Sequence, residues 1–115
     1  MDSIVIKITP AFERASKRLI DKTSLEELYD YLSMHPTSGT IIKGTGGVRK
    51  LRWKTQKLNK GKSGSLRVLY HYSKDILVIM ITLYSKSEQE NITTEEANDL
   101  KKLIPKLVNK YMEEL

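Results

Sequence analysis

Hydrophobic positions change their period several times along the chain, and each change marks an element. Ser3–Thr9 alternates, with Ile4, Ile6 and Ile8 on one side and Val5 and Lys7 on the other. That is the period of a strand with one buried face. Thr9-Pro10 then reads as a helix start, because threonine can cap and proline fits the first helical position, where no donor is needed. Phe12, Ala15, Leu19 and Ile20 follow at helical spacing, with Arg14, Lys17, Arg18 and Lys22 on the outer face. Ser24 and Glu27 have the spacing of a capping box, which predicts a second helix with the stripe Leu25, Leu28, Tyr29 and Leu32. His35-Pro36 ends it, since the residue before proline is pushed out of the α region. Two short helices joined by a tight turn predict an antiparallel hairpin.

The second half of the chain reads as sheet. Residues 37–47 form a loop with a little extended character at Ile41-Ile42. Gly44, Gly46 and Gly47 in it suggest positive φ or a close backbone approach. Val48–Trp53 and Leu66–Tyr72 are strand-like runs separated by a polar connection rich in Gly and Lys. Ile76–Tyr84 is continuously apolar and reads as a central strand buried on both faces. Lys74-Asp75 supplies a short turn, so these last two strands form an antiparallel hairpin. Thr93 and Glu96 predict another capping box, opening a helix to about Met112 with its stripe at Ala97, Leu100, Leu103-Ile104, Leu107-Val108 and Tyr111. Pro105 falls inside that stripe and predicts a kink or break near Leu103–Pro105. The order is β-α-α-β-β-β-α. It predicts a single α+β domain over residues 1–115, a small, mainly antiparallel sheet with the helical hairpin and the C-terminal helix packed on one face.

Composition narrows the partners. The chain has 115 residues, 39% of them apolar, which suffices for one packed core. A formal net charge of +6 favours an anionic partner. The charge is concentrated: residues 31–74 hold no Asp or Glu, but they include Lys43, Arg49, Lys50, Arg52, Lys54, Lys57, Lys60, Lys62, Arg67 and Lys74. Phosphate is the natural partner of so one-sided a block. The absence of cysteine excludes disulfide scaffolds and Cys-ligated zinc, and accords with a reducing cytoplasm. No apolar run approaches the ~20 residues of a membrane span, and the N-terminus does not read as a signal peptide.

Strand parity sorts the candidate residues. Arg67, Leu69 and His71 share one face, and Val68, Tyr70 and Tyr72 the other. Arg67 reads in two ways: a solvated or carboxylate-paired strand arginine, or a guanidinium fork on phosphate oxygens. Val48, Lys50 and Arg52 share one face of their strand, and Arg49, Leu51 and Trp53 the other. Their charges suit both a protected edge strand and phosphate contact. Tyr84 and Lys86 end the apolar strand beside a loop, a usual place for functional side chains. Taken alone, Tyr84 reads as closing the core with its hydroxyl in water. His35 and His71 are too few and too separated for a metal site, and His71 is either a base near Arg67 or a solvated strand histidine. No paired carboxylates, phosphate loop or nucleophile motif is present.

Three blocks together resemble a known family: GTGGVRKLRW at Gly44–Trp53, GKSGSLRVLYHY at Gly61–Tyr72, and LYSKSEQENITTEEANDL at Leu83–Leu100. They resemble the RelE/ParE superfamily of toxin–antitoxin toxins, in particular the HigB-type branch of RelE-like mRNA endonucleases. Ser65 departs from the pattern, since a second glycine often stands there. The resemblance implies a cytoplasmic, ribosome-dependent ribonuclease that inhibits translation by cutting mRNA in the 30S A site. It implies attack by the RNA 2′-hydroxyl on the adjacent phosphate, without metal or cofactor. It assigns Arg67 to transition-state charge, Lys60 and Lys62 to phosphate neutralisation and general-base work, and Tyr84 to stacking on or orienting a base. Lys86 ranks second, and which group is acid and which base stays open. Arg49, Lys50, Arg52, Lys54 and Lys57 are then RNA and ribosome contacts. The implied partners are the ribosome, mRNA and a cognate antitoxin that binds DNA, with the toxin alone a monomer. Two other readings use the same residues: a ParE-like gyrase inhibitor, and a non-enzymatic nucleic-acid binder.

Overall fold

The computed structural model describes residues 3–55 and 65–115. The elements are β1 (Val5–Ile8), α1 (Pro10–Leu19), α2 (Lys22–Met34), β2 (Thr40–Ile41), β3 (Val48–Lys54), β4 (Ser65–Ser73), β5 (Leu77–Ser85) and α3 (Thr94–Glu113). The five strands form one sheet in the order β1-β5-β4-β3-β2. β1 runs parallel to β5, and every other pairing is antiparallel. The expected α+β class therefore holds, with a two-residue strand added where Ile41-Ile42 hinted at one.

Both faces of the sheet are covered. Phe12, Leu19, Ile20, Leu28 and Leu32 of the hairpin pack with Val68, Tyr70, Val78, Met80 and Leu83 on one face. On the other, Ile104 and Tyr111 of α3 pack with Val48, Leu69, Leu77, Ile79 and Ile81. The expectation that all helices share one face is thus corrected. The cause lies in β5: its apolar residues leave neither face able to meet water, so a layer is needed on each. Fully burying one such side chain contributes about 1.5–3 kcal/mol.

Local signals explain most boundaries. Thr9 caps α1 by accepting the Phe12 N–H at 3.0 Å, and its own hydroxyl donates to Ile81 O at 2.6 Å, tying the helix start to β5. The cap of α2 is Asp21, which accepts the Ser24 N–H at 3.0 Å. Ser24 itself lies inside the helix, where its hydroxyl donates to Lys54 O and accepts from the Trp53 indole. The Ser24–Glu27 capping box is therefore not the start; an acidic cap three residues earlier takes that place. The predicted box on α3 is present, with Thr93 and Glu96 each accepting the other's backbone N–H. Lys74 and Asp75 both have positive φ, near 60°, which the tight β4–β5 turn requires.

Of the kink or break expected near Leu103–Pro105, the break does not occur: α3 runs as one helix through Pro105. Proline removes the bond to the carbonyl four residues back and costs about 3 kcal/mol in a helix interior. That carbonyl belongs to Lys101, which lies against Gly46: a Cβ there would sit 3.4 Å from Lys101 Cα and 3.7 Å from its carbonyl oxygen. Packing of Ile104 before the proline and Tyr111 beyond it holds the helix on the sheet across this point. The Tyr111 hydroxyl also donates to Ile8 O at 3.1 Å.

The loop after α2 hangs on one buried phenol. The Tyr70 hydroxyl donates to Pro36 O and accepts from the Gly39 N–H, both at 2.8 Å. A Cβ at Gly39 would lie 2.8 Å from this ring, so only glycine fits. Tyr70→Phe is expected to leave these two backbone groups unsatisfied and to lower stability by about 1–3 kcal/mol. Urea unfolding checks this; an unchanged midpoint would remove Tyr70 from this role.

Candidate functional site

Parity on β3 and β4, together with an irregularity in β5, assembles a row of polar groups on the α3 side of the sheet. On β3, Lys50, Arg52 and Lys54 share the face of Val48, which packs under α3. Arg52 stands opposite Arg67 on β4, and Arg67 stands opposite Tyr84 on β5. Tyr84 reaches this face only through a register shift. Leu69 pairs with Thr82 and Tyr70 with Met80, so Ile81 is an extra residue in β5. The extra residue reverses the strand's alternation: Val78 and Met80 face the hairpin, yet so does Leu83, and Tyr84 faces α3.

The row is buried at its centre. Arg67 is only 7% exposed and Tyr84 only 6%. Arg67 Nη1 and the Tyr84 hydroxyl are both buried and have no hydrogen-bond partner among the described residues. Arg67 is thus neither of the two things first expected of a strand arginine: it is not solvated, and no described carboxylate pairs with it. Burial pushes the Tyr84 phenol above its ordinary pKa; Arg67 opposes the shift and Glu96 adds to it. The phenol is therefore a neutral donor at ordinary pH.

The turn after β5 is locked by Glu88. Its Oε1 accepts the Ser85 N–H at 3.0 Å and the Ser85 hydroxyl at 3.2 Å, while Oε2 accepts from Arg18 of α1 at 2.6 Å. The Ser85 N–H, above all, holds this carboxyl below its usual pKa. The serine and glutamate of the YSKSE block thus fix the strand end directly after Tyr84.

Beside the row, between the sheet and the first turns of α3, lies a recess of about 220 Å³. Leu69, Ile92 and Leu100 give it apolar walls, and Thr82, Tyr84, Gln89, Glu96 and Asp99 supply polar groups. Thr82, Gln89 and Asp99 were not singled out from the sequence, and Glu96 only as the partner of Thr93 in the capping box. The only signal was the three-residue spacing of Glu96 and Asp99, which places them on one side of a helix.

The other sequence candidates fall in different places. Lys50 donates to Asn91 Oδ1 at 3.3 Å and so links β3 to the segment before α3. Lys54 and Lys86 are exposed at strand ends. Arg49 is on the hairpin side, where its Nη1 donates to Thr37 O at 3.1 Å and Gly39 O at 2.8 Å. The structure does not bring it to the row. His71 Nδ1 lies 2.8 Å from Gly47 O, so that nitrogen carries the proton and the ring anchors the glycine turn. Gly44, Gly46 and Gly47 all have positive φ, as expected. Lys57, Lys60 and Lys62 lie outside the described residues. Among the described residues no three His, Asp or Glu side chains gather as a metal ion would require. None of the described helices is long and apolar enough to cross a membrane.

The family described as "RelE toxin of RelE / RelB toxin-antitoxin system" matches residues 8–115. The chain belongs to the RelE toxin family. Its role as the toxin of a toxin–antitoxin system follows, and with it a cognate antitoxin as partner. RelE toxins are generally endoribonucleases. The match spans every element from α1 onward and so includes the Arg52–Arg67–Tyr84 row.

The coupling within the row is open to measurement. A phenol whose folded pKa is raised contributes stability below its unfolded pKa and loses it as pH rises through the folded value. Ultraviolet titration of wild type minus Tyr84→Phe is expected to show Tyr84 ionising at higher pH than free tyrosine. Arg67→Met is expected to raise that pKa further, because Arg67 opposes the shift. A Tyr84 pKa that falls or stays constant in Arg67→Met would separate the two residues.

Proposed function

We propose that this RelE toxin is a ribosome-dependent endoribonuclease of the HigB-type branch that cuts mRNA in the ribosomal A site and so stops translation. The observation that carries the reading is the pair of buried, unpartnered groups, Arg67 Nη1 and the Tyr84 hydroxyl, side by side on paired strands. A buried donor without an acceptor is unfavourable. A phosphodiester against this row supplies acceptor oxygens to both, and Arg52 adds a second guanidinium on the outer side.

The chemistry is transfer within the RNA. A base takes the proton of the 2′-hydroxyl, and the 2′-oxygen attacks the adjacent phosphorus. The bond to the 5′-oxygen breaks, and that oxygen leaves with a proton. The products are a 2′,3′-cyclic phosphate and a 5′-hydroxyl. Arg67 stabilises the charge that grows on the phosphate oxygens, the largest single contribution in such reactions. Tyr84, held neutral, donates to a phosphate oxygen or orients the adjoining base. Lys60 and Lys62 neutralise phosphate and supply the general base, a role for which neighbouring cations would lower a lysine pKa. Lys86 is a further candidate at the strand end. Lys50, Arg52, Lys54 and Lys57 bind RNA backbone, whose affinity is spread over many cations. Arg49, held by the loop carbonyls, takes a lesser part in binding. The toxin acts in the cytoplasm as a monomer, requires no metal, and is controlled by a DNA-binding antitoxin that keeps it out of the A site.

Arg67→Ala is expected to lower the single-turnover rate on programmed ribosomes by ~10²-fold or more while ribosome binding changes little. Lys54→Ala is expected to weaken binding instead and to reduce its salt slope. Arg67→Ala cutting at the wild-type rate would overturn the assignment. In a second experiment, cleavage is expected to persist in a chelator at concentrations that leave ribosomes intact, and to be weak on naked mRNA. Efficient cutting of free mRNA would count against ribosome dependence.

A further inference from the structure

The recess beside Tyr84 differs in sign from the basic strands β3 and β4 next to it. Residues 31–74 hold no carboxylate, yet Glu96 and Asp99 both line this hollow. Of the three recess residues on the sheet, Leu69 and Thr82 are cross-strand partners. They form the same-face row next to Arg67 and Tyr84, about 7 Å further along the strands. At about 220 Å³ the hollow is smaller than a typical drug-sized pocket and suits one small ring system. Leu69, Ile92 and Leu100 give it apolar sides against which a flat ring can lie.

Its polar groups are poised to accept. Glu96 Oε1 already takes the Thr93 N–H at 2.8 Å and the Gln89 side-chain amide at 3.3 Å. Its Oε2 has no described partner, and Asp99 makes no described hydrogen bond or ion pair. Tyr84, more than nine-tenths buried, lines the same hollow with its hydroxyl unpartnered. Carboxylates repel a phosphate, so the backbone of a bound strand belongs on the Arg67 row and not here. A carboxylate equally disfavours a carbonyl oxygen and favours an amino group that donates to it.

We propose that this recess receives one base of the RNA held on the Arg52–Arg67–Tyr84 row, and that Glu96 and Asp99 select a base presenting an amino group over one presenting a carbonyl. The proposal rests on the ribonuclease reading and adds to it a base preference set by α3. Cytosine and uracil isolate the effect: the rings are alike in size, and the group at position 4 is an amino donor in one and a carbonyl acceptor in the other. Uracil leaves the carboxylates facing a carbonyl, so it is rejected even though it fits.

The test has two arms. In the first, ribosomes carry reporter mRNAs that differ only by C or U at each position flanking the cut. At one position C is expected to be cut ~5- to 100-fold faster than U, the range for one well-placed base contact. Asp99→Asn and Glu96→Gln, each able to donate as well as accept, are expected to bring that ratio towards one. Cleavage with no C-over-U preference at any position, or with a preference that both variants keep, overturns the recess and leaves the nuclease reading standing. In the second arm, cytidine and uridine monophosphates are titrated into the purified toxin while the α3 amides and the Tyr84 ring are followed by nuclear magnetic resonance. Tighter binding of the cytidine nucleotide at these signals, lost in Asp99→Asn, supports the recess even if no ribosomal cleavage is seen, an outcome that would sink the nuclease reading alone. Equal or absent binding of the two nucleotides in this arm, alongside uniform cleavage, sinks the recess.

Discussion

β5 has to be covered on both sides. From Leu77 to Ser85 every residue but Thr82 is buried, and that burial is the constraint from which the rest of the architecture follows. One face is closed by the hairpin of α1 and α2, the other by α3. β1 must then pair in parallel along one side of β5 and β4 in antiparallel along the other, which puts β5 inside the sheet. The single irregularity in this strand has a disproportionate effect. Without the extra residue at Ile81, Tyr84 would point into the hairpin core and Leu83 would face α3. With it, a phenol stands opposite a strand arginine, and the core loses nothing because leucine takes the inner position.

The same layer that stabilises the sheet also encloses the polar row. α3 gives the far face its hydrophobic cover through Ile104 and Tyr111, and its first turns bring Glu96 and Asp99 beside Tyr84. A helix that ended at Leu103 would lose Tyr111 and its bond to Ile8 O, and with them the far anchor of the layer. The Lys101 carbonyl freed by Pro105 sits beside Gly46, where a side chain would crowd it. Gly46 is therefore part of the α3 seat together with the apolar stripe. At the opposite end, Glu88 ties the β5 terminus to Arg18 on the other side of the sheet. This exposed ion pair adds little stability by itself, but its bonds to Ser85 define where the strand stops.

Much of this was legible in the residues. Period two and period 3.6 located every long element, because each has a buried face to announce it. The apolar run Ile76–Tyr84 declared a doubly buried strand, and Arg67 was singled out because a charge in such surroundings needs a reason. What escaped was non-local. Asp21 rather than Ser24 caps α2 because the Ser24 hydroxyl is engaged by β3, a strand some thirty residues away. The side of the sheet taken by α3 depends on which face the hairpin has already covered, and no local pattern encodes that. The bulge at Ile81 is hidden inside an unbroken apolar run, where a shift of one residue changes no composition. The acidic recess was missed for a related reason: its carboxylates come from α3 and its floor from β4 and β5.

The unpartnered groups at Arg67 and Tyr84 run against what folding alone would select. An arginine on a strand beside aliphatic neighbours would stabilise the chain more with a carboxylate opposite it, and Tyr84 occupies that cross-strand position instead. Yet carboxylates are close at hand: burial does most to raise the Tyr84 pKa, Arg67 lowers it, and Glu96 of α3 adds to the rise. Glu96 and Asp99 line the recess beside the phenol, and neither forms an ion pair with Arg67 among the described residues. An internal salt bridge would have satisfied Arg67 and, on the proposed reading, closed it to an incoming phosphate. On the reading proposed above, a neutral phenol beside both cation and carboxylates keeps a positive row for the backbone of a bound strand and an accepting hollow next to it. For the nuclease proposed above, a site kept unsatisfied in the free protein is a physical form of readiness.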